Sequence, residues 1–233
     1  MRNALALLSI TLFGFTFSTH ADLTIVQHVD GAGQNSDTTV KIKGDRERID
    51  LPSKPSEIID GKSGQMIHLM NDRKSFVKIS ADQVKAAAET IGKDNGVGKP
   101  APKLTPTGRK ETINGYETEE FTFQTPQYKA SFWVAKSYPD GAGILKEMQA
   151  PMSGAWTPSN MGMPDYTDFP GLPMRTVISM GNNQMTTTIV SIKKDPINAA
   201  EFEIPKDFQD LTKTAGAPPA RAANAGGSPS ATP

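Results

Sequence analysis

Short segments in which apolar and polar residues alternate run through most of the chain between residues 22 and 211. Clear examples are the segments 23–28, 39–43 and 48–51. Successive side chains of a β-strand point to opposite faces of the sheet, so this alternation is typical of strands with one buried face. The pattern predicts a mainly β protein with minor α content, in which about eight to ten antiparallel strands form a curved sheet or half-barrel.

Turn signals separate several of these strands and predict β-hairpins. Residues 65–79 surround Asn71-Asp72-Arg73, and residues 174–192 surround Gly181-Asn182-Asn183. Asn114-Gly115 predicts a two-residue turn in which both residues adopt positive φ, as Asn-Gly hairpins do. Sequential hairpins of this kind build a curved antiparallel sheet, and a single amphipathic helix would then cover one of its faces.

One main helix is predicted after the first of these hairpins. Ser80 and Gln83 have the spacing of a capping box, and Gly92 is expected to end the helix. Apolar residues follow the box at helical spacing, namely Val84, Ala87, Ala88 and Ile91. Residues 93–107 are expected to be a Gly/Pro-rich linker, and a shorter helix is predicted over 144–149.

A long loop, residues 150–173, is so rich in Pro and Gly that no regular structure is expected in it. Methionine and aromatic residues are concentrated in and after this loop. The candidate ligand-binding residues of an apolar lid are Met152, Trp156, Met161, Met163, Phe169 and Met174. Exposed apolar groups in such number would promote aggregation, so Trp156 and Phe169 are expected to be at least half-buried against the sheet, with the loop as a movable lid.

Three interpretations of the methionines remain open at this point. Methionine adapts its shape readily and suits surfaces that enclose variable apolar ligands. Thioethers also bind Cu(I) in the periplasm. The third interpretation is that the loop simply packs its methionines onto the core, where methionine commonly fills gaps.

The N-terminus has the plan of a secretory signal peptide. Arg2 and Asn3 precede an apolar run over 4–17, and Thr19-His20-Ala21 places small residues before a predicted cut after Ala21. The run is shorter than the ~20 residues that span a bilayer, and no second long apolar run follows. The chain also has no cysteine, so neither disulfides nor the lipid anchor of a bacterial lipoprotein is expected. A periplasmic or secreted protein that does not span the membrane is predicted.

Charge and composition distinguish the predicted domain from the segments before and after it. Of 25 basic and 25 acidic residues, only Arg2, Lys213 and Arg221 lie outside 22–211, so that segment carries 22 basic against 25 acidic residues. This balance argues against nucleic acid as a partner. One domain is predicted over 22–211, after the signal peptide (1–21). Residues 212–233 contain no large apolar side chain and are predicted to be a disordered tail.

No catalytic or metal-binding motif is present. After the signal peptide only His28 and His68 remain as histidines, too few for a zinc site in a chain without cysteine. Ser75 and Lys78 match a Ser-x-x-Lys pattern, but in a strand residues three apart point to opposite faces. We therefore predict a protein that is not an enzyme and carries no cofactor.

Several short motifs together resemble a known family. They include Lys43-Gly-Asp-Arg-Glu-Arg-Ile-Asp50, Gln65-Met-Ile-His-Leu-Met-Asn71, Thr112-Ile-Asn-Gly-Tyr116 and Gly171-Leu-Pro-Met-Arg175. Over about residues 22–208 the chain resembles an uncharacterised family of exported bacterial proteins of unknown function. It also looks like the wider group of lipoprotein carriers (LolA/LolB type), which implies an open half-barrel, lidded by helices, that holds acyl chains.

Two functions are compatible with these features. The leading hypothesis is a periplasmic module that binds a lipid, an acyl chain or another apolar partner in the concavity of the sheet. The alternative is a structural or protein-interaction domain of the envelope, whose concavity is filled by its own helix and loop.

Overall fold

The computed structural model of the protein describes residues 22–31, 33–52, 54–98, 102–152 and 154–213. The predicted signal peptide lies outside the described residues, as does the predicted tail apart from its first two residues. The side chain of Thr212 accepts a hydrogen bond from the backbone N–H of Lys78 at 3.0 Å. The folded part of the chain therefore extends at least to Thr212.

The described residues form a mainly β fold with two α-helices, which confirms the predicted fold class. The twelve strands of the described chain are Leu23–Gly31 (β1), Gln34–Lys43 (β2), Arg46–Asp50 (β3), Ser56–Asp60 (β4), Gln65–Met70 (β5), Ser75–Ile79 (β6), Thr105–Ile113 (β7), Tyr116–Gln124 (β8), Lys129–Ala135 (β9), Leu172–Met180 (β10), Asn183–Lys193 (β11) and Gln209–Asp210 (β12). The helices are Ala81–Asp94 (α1) and Gly141–Gln149 (α2).

All twelve strands belong to one open sheet, with the order β12-β6-β5-β4-β3-β2-β1-β11-β10-β9-β8-β7. Every neighbouring pair is antiparallel except β12 and β6, which are parallel. The sheet curls strongly near β7. Asn114, at the tip of the β7–β8 hairpin, donates a hydrogen bond of 2.6 Å to the backbone oxygen of Ile189 in β11, which lies four strands away from β7 in the sheet order.

The predicted hairpins are confirmed. β5 pairs with β6, and β10 pairs with β11, both antiparallel. Asn114 and Gly115 have φ values of 50° and 83°, so the turn between β7 and β8 has the two left-handed residues that the Asn-Gly pair predicts.

Helix α1 begins as predicted but ends later. Ser80 accepts a hydrogen bond from Gln83 N, and the Gln83 side chain accepts one from Ser80 N, which completes the capping box. The prediction that Gly92 ends the helix is wrong, because the helix continues to Asp94. A Cβ atom on Gly92 would lie 2.2 Å from the backbone oxygen of Asn160. Glycine is therefore needed here for close packing of the loop on the helix, and not as a helix stop.

Two apolar clusters share one face of the sheet, which we call the inner face. Directly paired residues of neighbouring strands lie on the same face, and Val40 pairs with both Ile25 and Ile49, so these three form one row across β1, β2 and β3. The first cluster surrounds β1 and β8–β11 and includes α2. The second surrounds β3–β6 and includes α1. On the opposite, outer face, Ile58, Leu69 and Phe76 are covered by Ile204 and Phe208.

Candidate functional site

Residues 150–171, which we call the covering loop, connect α2 to β10 and contribute side chains to both inner-face clusters. The expectation that this stretch has no regular structure is wrong. It contains three 3-10 helices of one turn, Gly154–Trp156, Ser159–Met161 and Tyr166–Asp168. A single 3-10 turn requires only three residues, so it fits between the prolines and glycines that exclude a longer helix.

The predicted lid residues are divided between the two clusters. Trp156 and Met161, which are 3% and 1% exposed, belong to the second cluster, and Met163 packs against it. Phe169, 9% exposed, and Met174 belong to the first cluster. The expected burial of Trp156 and Phe169 is confirmed, and Met152 is buried as well. Whether these six residues bind a ligand stays a prediction.

Each half of the covering loop contacts a different partner. The Phe169 ring meets the Phe132 ring of β9 edge-on, with 4.9 Å between the ring centroids. Trp156 shares its cluster with Val84 and Ala88, which are two of the three buried residues of α1. The loop therefore contacts both halves of the inner face.

Two side-chain hydrogen bonds link the middle of the covering loop to its surroundings. Asn95, just after α1, donates to the backbone oxygen of Met161 at 2.7 Å. The Tyr128 hydroxyl donates to the backbone oxygen of Gly162 at 3.2 Å. Both bonds come from side chains and not from a strand ladder. A segment held in this way opens at lower free energy than a core strand does.

Glu47 is a buried acidic residue of the inner face that was not predicted from the sequence. It pairs with Ile42 on one side and with Ile59 on the other, both buried, and is itself only 4% exposed. Burial is the main cause that raises the pKa of Glu47 to about 8, and the charge of Glu57 adds to this effect. A signal was present, because Glu47 lies two residues before Ile49 and the alternation that buries Ile49 also buries Glu47.

Glu57 and His68 continue this polar patch on the neighbouring strands. The two residues are directly paired across β4 and β5, with 3.4 Å between His68 Nδ1 and Glu57 Oε1. Burial lowers the pKa of His68 and so favours its neutral form. Tyr166 of the covering loop lies close enough to Glu47 for that charge to raise the tyrosine pKa further, in addition to the larger effect of burial.

Several buried polar atoms on the inner side of the sheet have no hydrogen-bond partner among the described residues. They are Thr38 Oγ1, Glu47 Oε2, Ser75 Oγ and Trp156 Nε1, together with Glu147 Oε2 of α2. Buried polar atoms of folded proteins almost always have a partner. The inner side therefore combines apolar surface with a few hydrogen-bonding atoms that remain available, as small-molecule sites do.

No group of three or more His, Asp or Glu side chains in the described ranges is arranged to hold a metal ion. In the same part of the chain, no helix is long and apolar enough to cross a membrane.

Comparisons with known proteins identify a family and several distant structural neighbours. A family model described as a domain of unknown function, DUF4412, matches residues 22–208. No curated protein was found to match the sequence. Structures with a similar fold include PNGF-II (14% identity, TM-score 0.40), with 82% of this chain aligned to 31% of that chain. The chain thus spans about a third of the length of PNGF-II.

Two other neighbours are named as lipoproteins or as proteins that sort them. The lipoprotein LppX of Mycobacterium tuberculosis is 12% identical with a TM-score of 0.39, and the match covers 76% of this chain and 88% of that chain. A putative outer membrane lipoprotein-sorting protein domain from Vibrio parahaemolyticus is 10% identical with a TM-score of 0.33, over 79% of this chain and 90% of that chain. The family match confirms the resemblance to an uncharacterised family of unknown function.

Proposed function

Since the chain belongs to the DUF4412 family, whose function is unknown, we propose its function from the geometry of the inner face: the protein is a non-catalytic, exported module that binds a lipid, an acyl chain or another apolar ligand. The ligand lies between the inner face and the covering loop. It contacts the predicted lid residues Met152, Trp156, Met161, Met163, Phe169 and Met174.

The observation that carries this proposal is the set of unpartnered polar atoms among buried apolar side chains. Glu47 Oε2 and Trp156 Nε1 are both buried and both lack a partner among the described residues. An interior filled only by its own side chains is expected to satisfy such atoms, since each unmade hydrogen bond costs about 1–3 kcal/mol. A ligand with an apolar body and a polar group would satisfy them.

The covering loop supplies a route of entry. The side chains of Asn95 and Tyr128 bind the middle of the loop, and none of its described residues belongs to a strand, so the loop can separate from the inner face without breaking the sheet. The ligand would then replace part of the contact that Trp156 and Met161 make with the second cluster.

A specific observation also favours the alternative function, a structural or protein-interaction domain with a self-filled interior. The backbone of Asn160 approaches Gly92 so closely that no Cβ would fit between them. Such close packing of the loop on α1 is expected where no ligand enters. The two functions differ in whether the loop ever leaves this position.

Native mass spectrometry after mild purification, combined with titration of the apolar fluorophore Nile red, tests the proposal. We expect a co-purified lipid or a single saturable Nile red site, and displacement of the dye by a monoacylglycerol. Met163, which is partly buried against the second cluster, provides the test position. In Met163→Lys the charged group disfavours an apolar ligand, and we expect weaker dye binding.

Val190→Lys is the matched control, since Val190 is an exposed apolar residue of β11 that does not belong to either inner-face cluster. It should bind the dye as the unaltered protein does. If no lipid co-purifies and neither Nile red nor the monoacylglycerol binds, the proposal is wrong and the self-filled interior is correct.

A further inference from the structure

The turn over residues 158–163, in the middle of the covering loop, is held together by its own backbone. The N–H groups of Met161 and Met163 both donate to the backbone oxygen of Pro158, at 3.0 and 2.9 Å. The turn can therefore keep its shape when it leaves the inner face. The last carbonyl oxygens of a helical turn have no partner within it. Here they are the oxygens of Met161 and Gly162, and both are bound from outside the loop.

These two outside bonds, which we call the clasp, come from opposite ends of the sheet. Asn95 follows α1, which continues from β6, whereas Tyr128 precedes β9. In the sheet order β6 lies beside one edge strand, and β9 lies two strands from the other edge. Asn95 donates to the oxygen of Met161 at 2.7 Å, and Tyr128 donates to that of Gly162 at 3.2 Å. Two adjacent carbonyl groups therefore link the two ends of the curled sheet.

The clasp requires glycine at position 162 for two reasons. Gly162 has a φ of 73°, in the left-handed region that favours glycine. A Cβ atom on Gly162 would also lie 2.6 Å from the Cβ of Asn95. Gly154, in the same loop, has a similar φ of 63°, but a Cβ atom there meets nothing within 4 Å among the described residues. The close approach is therefore a property of the clasp and not of left-handed glycines in this loop.

The two ends of the covering loop lie directly against the backbone of the sheet and its connections. A Cβ atom on Gly61, between β4 and β5, would lie 2.4 Å from the backbone oxygen of Pro151. A Cβ atom on Gly171 would lie 2.4 Å from the backbone oxygen of Ala135, at the end of β9. Trp156, which is buried in the second cluster, lies between these two ends. The ends can therefore stay in place while the middle of the loop moves.

From this arrangement we propose that the clasp is the gate of the ligand site. When the bonds from Asn95 and Tyr128 break, residues 154–168 separate from the second cluster and a ligand reaches the apolar surface beside Trp156. The inference rests on the proposed function and specifies how access to that site is controlled. Asn95 and Tyr128 are positioning residues, because they act through the loop and not on the ligand.

Hydrogen exchange of the Trp156 indole N–H, followed by NMR in a Trp133→Phe background, measures opening of the gate without a ligand. This N–H is buried, so its exchange rate follows the population of the open form when the loop recloses quickly. Tyr128→Phe keeps the ring and removes the hydroxyl, and Asn95→Ala removes the side-chain amide. Each should raise the exchange rate roughly three- to tenfold, since one hydrogen bond of the closed form is lost.

Two matched controls separate the clasp from general loosening of the fold. Tyr138→Phe also removes a hydroxyl, but the Tyr138 ring packs on Tyr116, with 4.7 Å between the centroids, and its hydroxyl has no hydrogen-bond partner among the described residues. It should leave the exchange rate unchanged. Gly162→Ala should raise the rate more than Gly154→Ala does, because both strain a left-handed backbone but only the first clashes with Asn95.

Stopped-flow mixing with Nile red then relates opening to binding, and the association rate should rise by the same factor in Tyr128→Phe and Asn95→Ala. If indole exchange in both variants is no faster than in Tyr138→Phe, the clasp does not hold the loop and the inference is overturned. It is also overturned if exchange becomes faster while dye association does not, because the ligand then enters elsewhere. If exchange becomes faster and no dye binds to any variant, the proposed function fails while the clasp remains as the contact that holds the loop.

Discussion

We expect Glu47 to lower the stability of the protein as the pH rises, and Glu47→Gln should remove that contribution. Burial and the charge of Glu57 raise the pKa of Glu47 from 4.5 to about 8 in the folded protein. Below the lower value the residue is protonated in both the folded and the unfolded states. As the pH rises between the two values, only the unfolded state ionises readily, so the free energy of unfolding falls.

The size of the effect follows from the pKa interval. Within this interval, each rise of one pH unit lowers the free energy of unfolding by about 1.4 kcal/mol. Ionisation is only partial near each of the two pKa values, so the loss of stability between about pH 5 and about pH 8 is less than three full units and amounts to roughly 3 kcal/mol. This is a large part of the total for a domain of this kind. Glutamine has nearly the same shape and no charge, so Glu47→Gln should be stabilised relative to the unaltered protein by an amount that grows by roughly 3 kcal/mol over the same range.

Urea unfolding followed by far-UV circular dichroism at a series of pH values measures this difference. The contribution of His68 has the opposite sign, because its lowered pKa makes stability rise with pH, but it is present in both proteins and cancels in the difference. Glu89→Gln, on the exposed side of α1, is the control and should give a difference that does not vary with pH. If the Glu47→Gln difference is equally constant, Glu47 is not a buried carboxyl of raised pKa and the reasoning is refuted.

Substitutions at three positions test the local structure by thermal unfolding. Gly115→Val should lower the free energy of unfolding by more than ~1 kcal/mol, because valine is strained at positive φ. Gly115→Asn should cost less, since asparagine tolerates positive φ better and a Cβ at this position meets nothing within 4 Å. An unchanged melting temperature for the valine variant would argue against the turn. Gly92→Ala should destabilise, although the same change usually stabilises a helix interior by about 0.5–1 kcal/mol, because the new methyl would clash with Asn160; stabilisation would disprove the close contact. Ser80→Ala should cost about 1 kcal/mol through loss of the cap, and no loss would mean that the cap is not formed in solution.

The sequence was most informative where local chemistry determines the backbone. Asn114-Gly115 can form its turn only with left-handed residues, and Ser80 with Gln83 satisfies the free N–H groups of a helix start, so both features were predictable without tertiary structure. The end of α1 was not, because the role of Gly92 depends on Asn160, which is far away in the sequence. Contacts of this kind leave no local signal.

Two parts of the sheet were missed for a different reason. Strand β7 is an edge strand with nearly all of its residues exposed, so it lacks the alternation that marks a half-buried strand, and residues 93–107 were expected to be a linker. Strand β12 has only two residues and is defined by its pairing with β6 alone. Both strands depend on their neighbours and not on a pattern of their own.

The candidate site was predictable in part. Composition identified the apolar residues of the covering loop, and aggregation arguments predicted their burial, but the division of Trp156 and Phe169 between two clusters depends on how α1 and α2 sit on the sheet. Glu47 could have been found from its position two residues before Ile49. Its neighbours Arg46 and Arg48 are charged, so the segment resembled an exposed strand.

Fluorescence of Trp156 tests the central claim, that an apolar ligand binds under the covering loop, most directly. Trp156 is 3% exposed and lies between α1 and the sheet, while Trp133 of β9 would contribute background emission. In the Trp133→Phe variant, titration with a long-chain monoacylglycerol should shift or change the intensity of the Trp156 emission saturably, because the ligand displaces the loop from the second cluster. If Trp156 emits as a fully solvated indole and no ligand alters it, the claim is contradicted, and the loop is instead a docking segment for another protein.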